Sequence, residues 1–369
     1  MAIRDSLALS QDQRALQERV RVFLAEKVSP GELHSALDTQ PGYGPELHAR
    51  LTSELGLAGL TIPEEFGGLG LSQAEACVVH TELGRALYPG PLLPSCLGAA
   101  ALLAATNSEA REHWLPLMAN GSVIATVAAA SEAGHWTPGP DSVQAEHAID
   151  GWRLSGRRWY AIAAHVADIV IVPAITGTGT AIFLVKPGSA GFTVSRQLSL
   201  DMTRRISVAT LDATPALLLS EYEAAAASLA RAEQELLLAN AAEAAGGIGW
   251  CLDATIAYAQ DREQAENPAG SFQAVANSCV DMIADLRDVS ASARYAAVAT
   301  ADEVDDAPEA ARTAAHRAAE SYRNATEAAI QLFGGLGSPR EPDAYLHYRR
   351  AWSTQQLLGG PLADRAADQ

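Results

Sequence analysis

The chain has 369 residues, with 26 lysines and arginines against 44 aspartates and glutamates, so its net charge is −18. This acidic balance disfavours nucleic acid and anionic membrane surfaces as partners, because both repel a negatively charged protein. With 48% hydrophobic and 19% charged residues the composition is that of a folded protein, and the length suggests two or three packed units.

The cysteines and the N-terminus indicate the compartment. Four cysteines lie far apart and form no CxxC or Cys–His pattern, so we expect reduced, mostly structural thiols and no metal site. The N-terminal segment is charged throughout and contains no apolar region of the signal-peptide type. The most apolar stretch, 97–106, is about half the ~20 residues of a membrane-spanning helix. We therefore expect a cytoplasmic protein without membrane segments.

The first third of the chain has helical periodicity. From Ser10 to about Met118 apolar residues recur at helical spacing, as in DQRALQERVRVFLAEKV. Glycine- and proline-rich stretches at 42–45, 61–71 and 88–94 predict breaks between helices.

The middle of the chain changes character, and the last part returns to helices. Between Ser122 and about Ala216 six short β-type runs are separated by Gly, Pro and Asp, which predicts an antiparallel sheet. From Glu221 onward long alanine-rich stretches predict closely packed helices. The predicted fold class is α+β multidomain, comprising an all-α N-terminal domain, an antiparallel β middle domain and a C-terminal four-helix bundle at 1–120, 121–220 and 221–369.

Four motifs occur in an order that resembles the acyl-CoA dehydrogenase family. These flavoproteins introduce an α,β double bond into acyl-CoA thioesters. No motif is decisive alone, but the resemblance spans almost the whole chain. The motifs are PEEFGGLGL at 63–71 with ELGRALYPGP at 82–91, DREQAENPAGSFQAV at 261–275, AIQLFGGLG at 329–337 and GSPREPDAYLHYRRA at 337–351.

The second motif implies contacts with FAD across a subunit boundary. Arg262, Phe272 and Gln273 match the family pattern, in which the arginine and glutamine reach the flavin of a neighbouring subunit. A guanidinium suits this role because it makes charge-assisted hydrogen bonds to a diphosphate. Ala265 and Glu266 replace the family's Phe-Gly, and a carboxylate near a diphosphate is unfavourable.

The third motif implies further contacts with FAD. Gln331, Gly334 and Gly335 match the family's Q-x-x-G-G-x-G. Glycines let backbone N–H groups approach a phosphate, although the same residues also suit the end of a helix.

The β region resembles the part of the family that contacts the flavin ring. Ser131 and Tyr160 lie at flavin-contacting positions by this resemblance. Ile162 replaces a hydroxyl residue of the family strand and cannot supply its hydrogen bond.

The fourth motif implies the catalytic base. Glu341 occupies the position of the glutamate that removes the α-proton of the thioester while the β-hydride leaves to the flavin. Glu243 is the second candidate, because it lies on the same predicted helix face as Leu236, where some relatives carry the base. The alternative to a catalytic role is an exposed loop residue for Glu341 and a structural helix residue for Glu243.

The resemblance implies FAD-dependent α,β-dehydrogenation of an acyl-CoA, with electrons passing to an electron-transfer flavoprotein or a similar acceptor. It implies a homodimer or homotetramer, or an α2β2 heterotetramer with a homologous subunit. The latter occurs in actinobacterial members that act on steroid side chains, which the segment 201–212 resembles. Two alternatives stay open: a non-catalytic subunit that completes the site of a homologue, and a flavin oxidase or N-oxygenase on the same fold.

Overall fold

The order of elements along the chain is helices, then strands, then helices, which confirms the predicted fold class. The structure is a computed structural model that describes residues 8–28, 30–136, 139, 142–263, 269–333 and 341–357.

Capping motifs stabilise the first turns of two N-terminal helices. Ser10 with Gln13 and Ser72 with Glu75 form capping boxes, in which each side chain bonds the backbone N–H of the other residue. The stretch 61–71 lies between α-helices, whereas the stretches 42–45 and 88–94 end in the first turns of the helices that follow them, where proline is tolerated. The helices are α1 Gln11–Lys27, α2 Pro30–Leu37, α3 Pro45–Leu55, α4 Gln73–Arg85, α5 Leu92–Leu103 and α6 Ser108–Ala119.

The strands of the middle region are β1 Ala125–Val127, β2 Gln144–Ala148, β3 Gly151–Ile162, β4 Ile169–Thr176, β5 Gly179–Val185, β6 Phe192–Arg196 and β7 Ile206–Glu221. They form one sheet of mostly antiparallel pairs, with the order β1-β4-β2-β3-β7-β5. β6 pairs with β7, and β4 also pairs with β5, which closes the sheet on itself. Two pairings, β1–β4 and β2–β4, are parallel and were not predicted.

Small residues let the C-terminal helices pack closely against their neighbours. At Gly246 of the longest helix an added Cβ would overlap the carbonyl oxygen of Thr81 on α4, so the two backbones touch. Alanines of this part are buried in a common core, as expected from their frequency. The helices are α7 Tyr222–Glu263, α8 Ala269–Ala301, α9 Ala307–Phe333 and α10 Glu341–Leu357.

A hydrophobic core joins the sheet to these helices. Leu236 of α7 belongs to the same buried cluster as Ile162 of β3 and Ile171 of β4, and Ile206 and Leu357 pack against it. This cluster fixes α7 and the end of α10 against one face of the sheet. None of the described helices has the length and apolar character needed to cross a membrane.

Candidate functional site

A cleft of about 570 Å³ lies between the sheet and α10. Its volume is within the range of sites that bind small molecules and cofactors. The loop after β1, the bulged end of β3, the β6–β7 connection and the second half of α10 form its walls. Residues that line it include Gly134, Tyr160, Ile206, Arg349, Trp352 and Leu357.

Tyr160 lines the cleft and holds the neighbouring loop. It has a φ of 53°, a conformation that is uncommon for a residue other than glycine and recurs at functional sites. The ladder between β3 and β7 shifts register between Arg158 and Ala161, and such bulges redirect side chains. The Tyr160 hydroxyl donates to the carbonyl oxygen of Glu132 at 3.0 Å. The residue predicted from the sequence is therefore part of the wall of the cleft.

Ser131 stabilises the turn that precedes the cleft. Its backbone N–H donates to the carbonyl oxygen of His135 at 2.8 Å, and its hydroxyl oxygen accepts from the His135 N–H at 3.2 Å. Ala133 and Gly134, two and three residues later, line the cleft. The predicted flavin contact of Ser131 thus remains a prediction, and its observed role is to shape the loop.

The other predicted cofactor residues lie elsewhere or outside the described part of the chain. Gln273 on α8 and Gln331 near the end of α9 are exposed. The side chains of Arg262 and Phe272 lie outside the described residues, and so do Gly334 and Gly335. The flavin contacts of both glutamines stay predictions.

Glu341 lies at the end of α10 that does not line this cleft. It is the first residue of the helix, and the lining of the cleft by α10 begins at Arg349. Eight residues of helix correspond to about 12 Å. The Oδ1 of Asp343, two residues after Glu341, is 3.0 Å from the Nε2 of His34. The side chain of Glu341 lies outside the described residues, so its role as the base stays a prediction.

Glu243 is buried in an ion-pair network at the inner end of the cleft. Its Oε2 accepts from Arg204 at 2.6 Å and from Arg350 at 2.8 Å. Arg350 also pairs with Asp201 at 3.3 Å and donates to the Thr203 hydroxyl at 2.9 Å. Two arginines and two carboxylates therefore balance their charges where water is largely excluded.

This network makes Glu243 a weak base. Burial alone would raise the pKa of Glu243, but the charges of Arg204 and Arg350, with His80 nearby, hold this pKa far below its ordinary value. A carboxylate with a depressed pKa is a weak base. The geometry thus supports the structural alternative for Glu243.

A second buried polar group was not predicted from the sequence. The possible ligand atoms of His80, Cys96 and Glu235 all lie within 4.8 Å of one another. His80 Nδ1 is also 3.7 Å from Glu243 Oε1, so this group continues the ion-pair network. Burial raises the pKa of Glu235. The Nε2 of Gln73 donates a hydrogen bond to the Oε2 of Glu235 at 2.7 Å. Its members come from α4, α5 and α7, and no local motif connects them.

The residues of the cleft fit a flat aromatic cofactor. Tyr160 and Trp352 supply aromatic wall surface, Ile206 and Leu357 supply apolar surface, and Arg349 supplies a positive charge. The indole Nε1 of Trp352 is buried and has no hydrogen-bond partner among the described residues, so the contribution of Trp352 to the cleft wall is its aromatic surface.

Comparisons with known proteins identify the family. The N-terminal domain model of acyl-CoA dehydrogenases matches residues 10–122, and the C-terminal domain model matches residues 237–361. Acyl-CoA dehydrogenase IpdE2 of Mycolicibacterium smegmatis is 32% identical over 359 residues, which cover 96% of each chain. Acyl-CoA dehydrogenase FadE27 of Mycobacterium tuberculosis is 31% identical, covering 83% of each chain.

Solved structures agree with this assignment. The ChsE4–ChsE5 complex from Mycobacterium tuberculosis superimposes with a TM-score of 0.86 at 26% identity, covering 98% of this chain and 97% of the other. The Tcur3481–Tcur3483 steroid acyl-CoA dehydrogenase variant has a TM-score of 0.83 at 27% identity and covers 97% of this chain and 96% of the other. The chain belongs to the acyl-CoA dehydrogenase family of flavoprotein oxidoreductases.

Proposed function

We propose that this chain binds FAD in the cleft between the sheet and α10 and takes part in the α,β-dehydrogenation of an acyl-CoA thioester. The observation that carries the proposal is the cleft itself, with Tyr160 on one wall and Trp352 on another. It lies where the family resemblance implies the flavin, between the β region and the C-terminal helices.

The residues of this chain have distinct roles in the proposal. FAD, when bound, accepts the hydride from the β-carbon of the thioester. Tyr160 and Trp352 hold and shield the cofactor, and Arg349 attracts its negative charge. Gln273 and Gln331, together with Arg262, contact the flavin of a neighbouring subunit, as the resemblance implies. An electron-transfer flavoprotein or a similar protein is the proposed acceptor.

A specific observation favours a second candidate function, that of a subunit completing a heteromeric enzyme. Among the described residues Asp201 is the carboxylate that lines the cleft, and both Asp201 and the adjoining Glu243 are paired with arginines. Glu341 begins the opposite end of α10. Neither of these two paired carboxylates is free to take the α-proton. The similar ChsE4–ChsE5 structure is itself a complex of two different proteins.

The experiment that tests the proposal is the visible spectrum of the chain purified alone, with flavin quantified after denaturation. About one flavin per chain, bleached anaerobically by an acyl-CoA, supports a complete dehydrogenase. A colourless chain that acquires flavin only when produced with a homologous subunit supports the second candidate. Absence of flavin under both conditions contradicts both candidates. Oxygen consumption without an electron acceptor indicates an oxidase instead.

A further inference from the structure

Three buried side chains that are able to bind a metal ion meet between α4, α5 and α7. His80 lies on α4, Cys96 on α5 and Glu235 on α7, and each is less than 9% exposed. One ring nitrogen of His80, the Sγ of Cys96 and one carboxylate oxygen of Glu235 all lie within 4.8 Å of one another. Imidazole nitrogen, thiolate sulfur and carboxylate oxygen are the donor atoms that bind zinc in proteins.

The spacing of these three atoms is close to that of a zinc site. Three atoms that are no more than 4.8 Å apart all lie within about 2.8 Å of a common point, whereas zinc bonds are about 2.0–2.3 Å long. Side-chain shifts of less than about 1 Å therefore bring all three atoms to bonding distance from one ion.

Without a cation the polar atoms of this group are poorly satisfied. His80 Nδ1 is buried and has no hydrogen-bond partner among the described residues. Gln73 donates a hydrogen bond to Glu235, but a neutral amide does not compensate a buried charge. Burial raises the pKa of the Cys96 thiol and of the Glu235 carboxyl, which favours their uncharged forms. A divalent cation would compensate the charges of one thiolate and one carboxylate together.

Glu243 offers a further oxygen atom beside this group. Arg204 and Arg350 both bind its Oε2, whereas its Oε1 is 3.7 Å from His80 Nδ1. The backbones of α4 and α7 touch here, because a Cβ added at Gly84 would overlap backbone atoms of Glu243. The helices that carry the group are thus held at a fixed separation, which lowers the cost of ordering a site.

We propose that His80, Cys96 and Glu235 bind a zinc ion that joins α4, α5 and α7, with Glu243 Oε1 as the fourth ligand. On binding, the Cys96 thiol and the Glu235 carboxyl release their protons to solvent, and no atom changes its oxidation state. Four protein ligands leave no open position, so the ion is structural. Because the ligands are buried, the ion enters as the chain folds. The inference does not rest on the proposed function.

The test measures zinc in the untagged full chain, produced in medium containing zinc, with its partner subunit if one copurifies. After dialysis against metal-free buffer we expect about one zinc per chain in the wild type and less than about 0.1 in Cys96→Ala. The matched control is Cys251→Ala, which also changes a buried cysteine but one outside the group, and which should keep its zinc.

Two further readouts examine the wild type directly. X-ray absorption at the zinc edge should show one sulfur neighbour at about 2.3 Å and nitrogen or oxygen neighbours at about 2.0–2.2 Å. Prolonged incubation with a chelator should lower the thermal midpoint of the wild type but not that of Cys96→Ala, because binding energy of a structural ion is also folding energy.

Three outcomes would overturn the inference. They are a wild type with less than about 0.1 zinc per chain, equal zinc in the wild type and Cys96→Ala, and a bound zinc without a sulfur neighbour. The first and third need no variant to fold. Zinc and flavin are measured separately, so a chain that holds zinc without flavin supports the inference while counting against the proposed function.

Discussion

At the scale of single residues, the ion pairs of Glu243 determine what the inner end of the cleft is able to do. Removing one partner of a buried ion pair leaves the other charges uncompensated, which usually costs about 3–5 kcal/mol. Glu243 compensates two arginines at once, Arg204 and Arg350. These ion pairs predict that Glu243 stabilises the fold.

We expect Glu243→Gln to lower the free energy of unfolding by about 3–5 kcal/mol at pH 7, measured by urea denaturation. The pKa of Glu243 is depressed from its ordinary value of 4.5, so its stabilising effect is present above that pH and is lost as the pH falls below it. The stability difference between wild type and variant should therefore narrow below about pH 4.5.

The matched control is Glu309→Gln on α9, where the side chain is 76% exposed. It should change stability by less than about 0.5 kcal/mol. If both variants are equally stable, the network does not contribute to folding, and Glu243 becomes a candidate base again.

At the scale of elements, the length of α10 separates two residues of the fourth sequence motif, Glu341 and Arg349. The sequence predicts that Glu341 and the cofactor residues meet in one site, but the rise of the helix places Glu341 about 12 Å from Arg349. If Glu341 is the base, Glu341→Gln should leave flavin content unchanged and reduce turnover by about 100-fold or more, measured with the flavin-loaded enzyme. A loss of less than about threefold would remove Glu341 from the catalytic site.

The packing of α4 against α7 gives a second prediction at this scale. In Gly246→Ala the new methyl group would overlap the carbonyl oxygen of Thr81, so the two helices must move apart. We expect a loss of about 1–3 kcal/mol in thermal or chemical unfolding. Gly31→Ala is the control, because an added Cβ there meets no atom within 4 Å and the change should be neutral or slightly stabilising. Equal stability of the two variants would contradict this packing.

At the scale of the whole molecule, the exposed glutamines bear on how the chain assembles. Gln273 lies at the surface of α8, so Gln273→Ala should not alter the unfolding of the chain itself. If it contacts the flavin of a neighbouring subunit, the variant should weaken flavin binding of the assembled protein by about 10-fold, measured by flavin release on dilution.

Gln11→Ala, also at an exposed position, is the control and should leave flavin binding unchanged. Unchanged flavin affinity in the Gln273 variant would remove this residue from the site of the assembly.

The sequence by itself determined the order of helices, strands and helices, because hydrophobic periodicity and glycine or proline breaks are local signals. It did not reveal β2, whose QAEHA sequence is largely polar and exposed and is held in place by pairing with β3. The family resemblance also followed from motifs that are contiguous in the chain.

Only the tertiary structure decided what the polar residues do. Arg204, Glu243 and Arg350 are distant in sequence, and their pairing depends on how the β6–β7 connection, α7 and α10 pack together. The same packing left the buried amide of Asn240 without a hydrogen-bond partner among the described residues. Charge and hydrogen bonding act over a few ångströms in space, so spacing along the chain does not determine them.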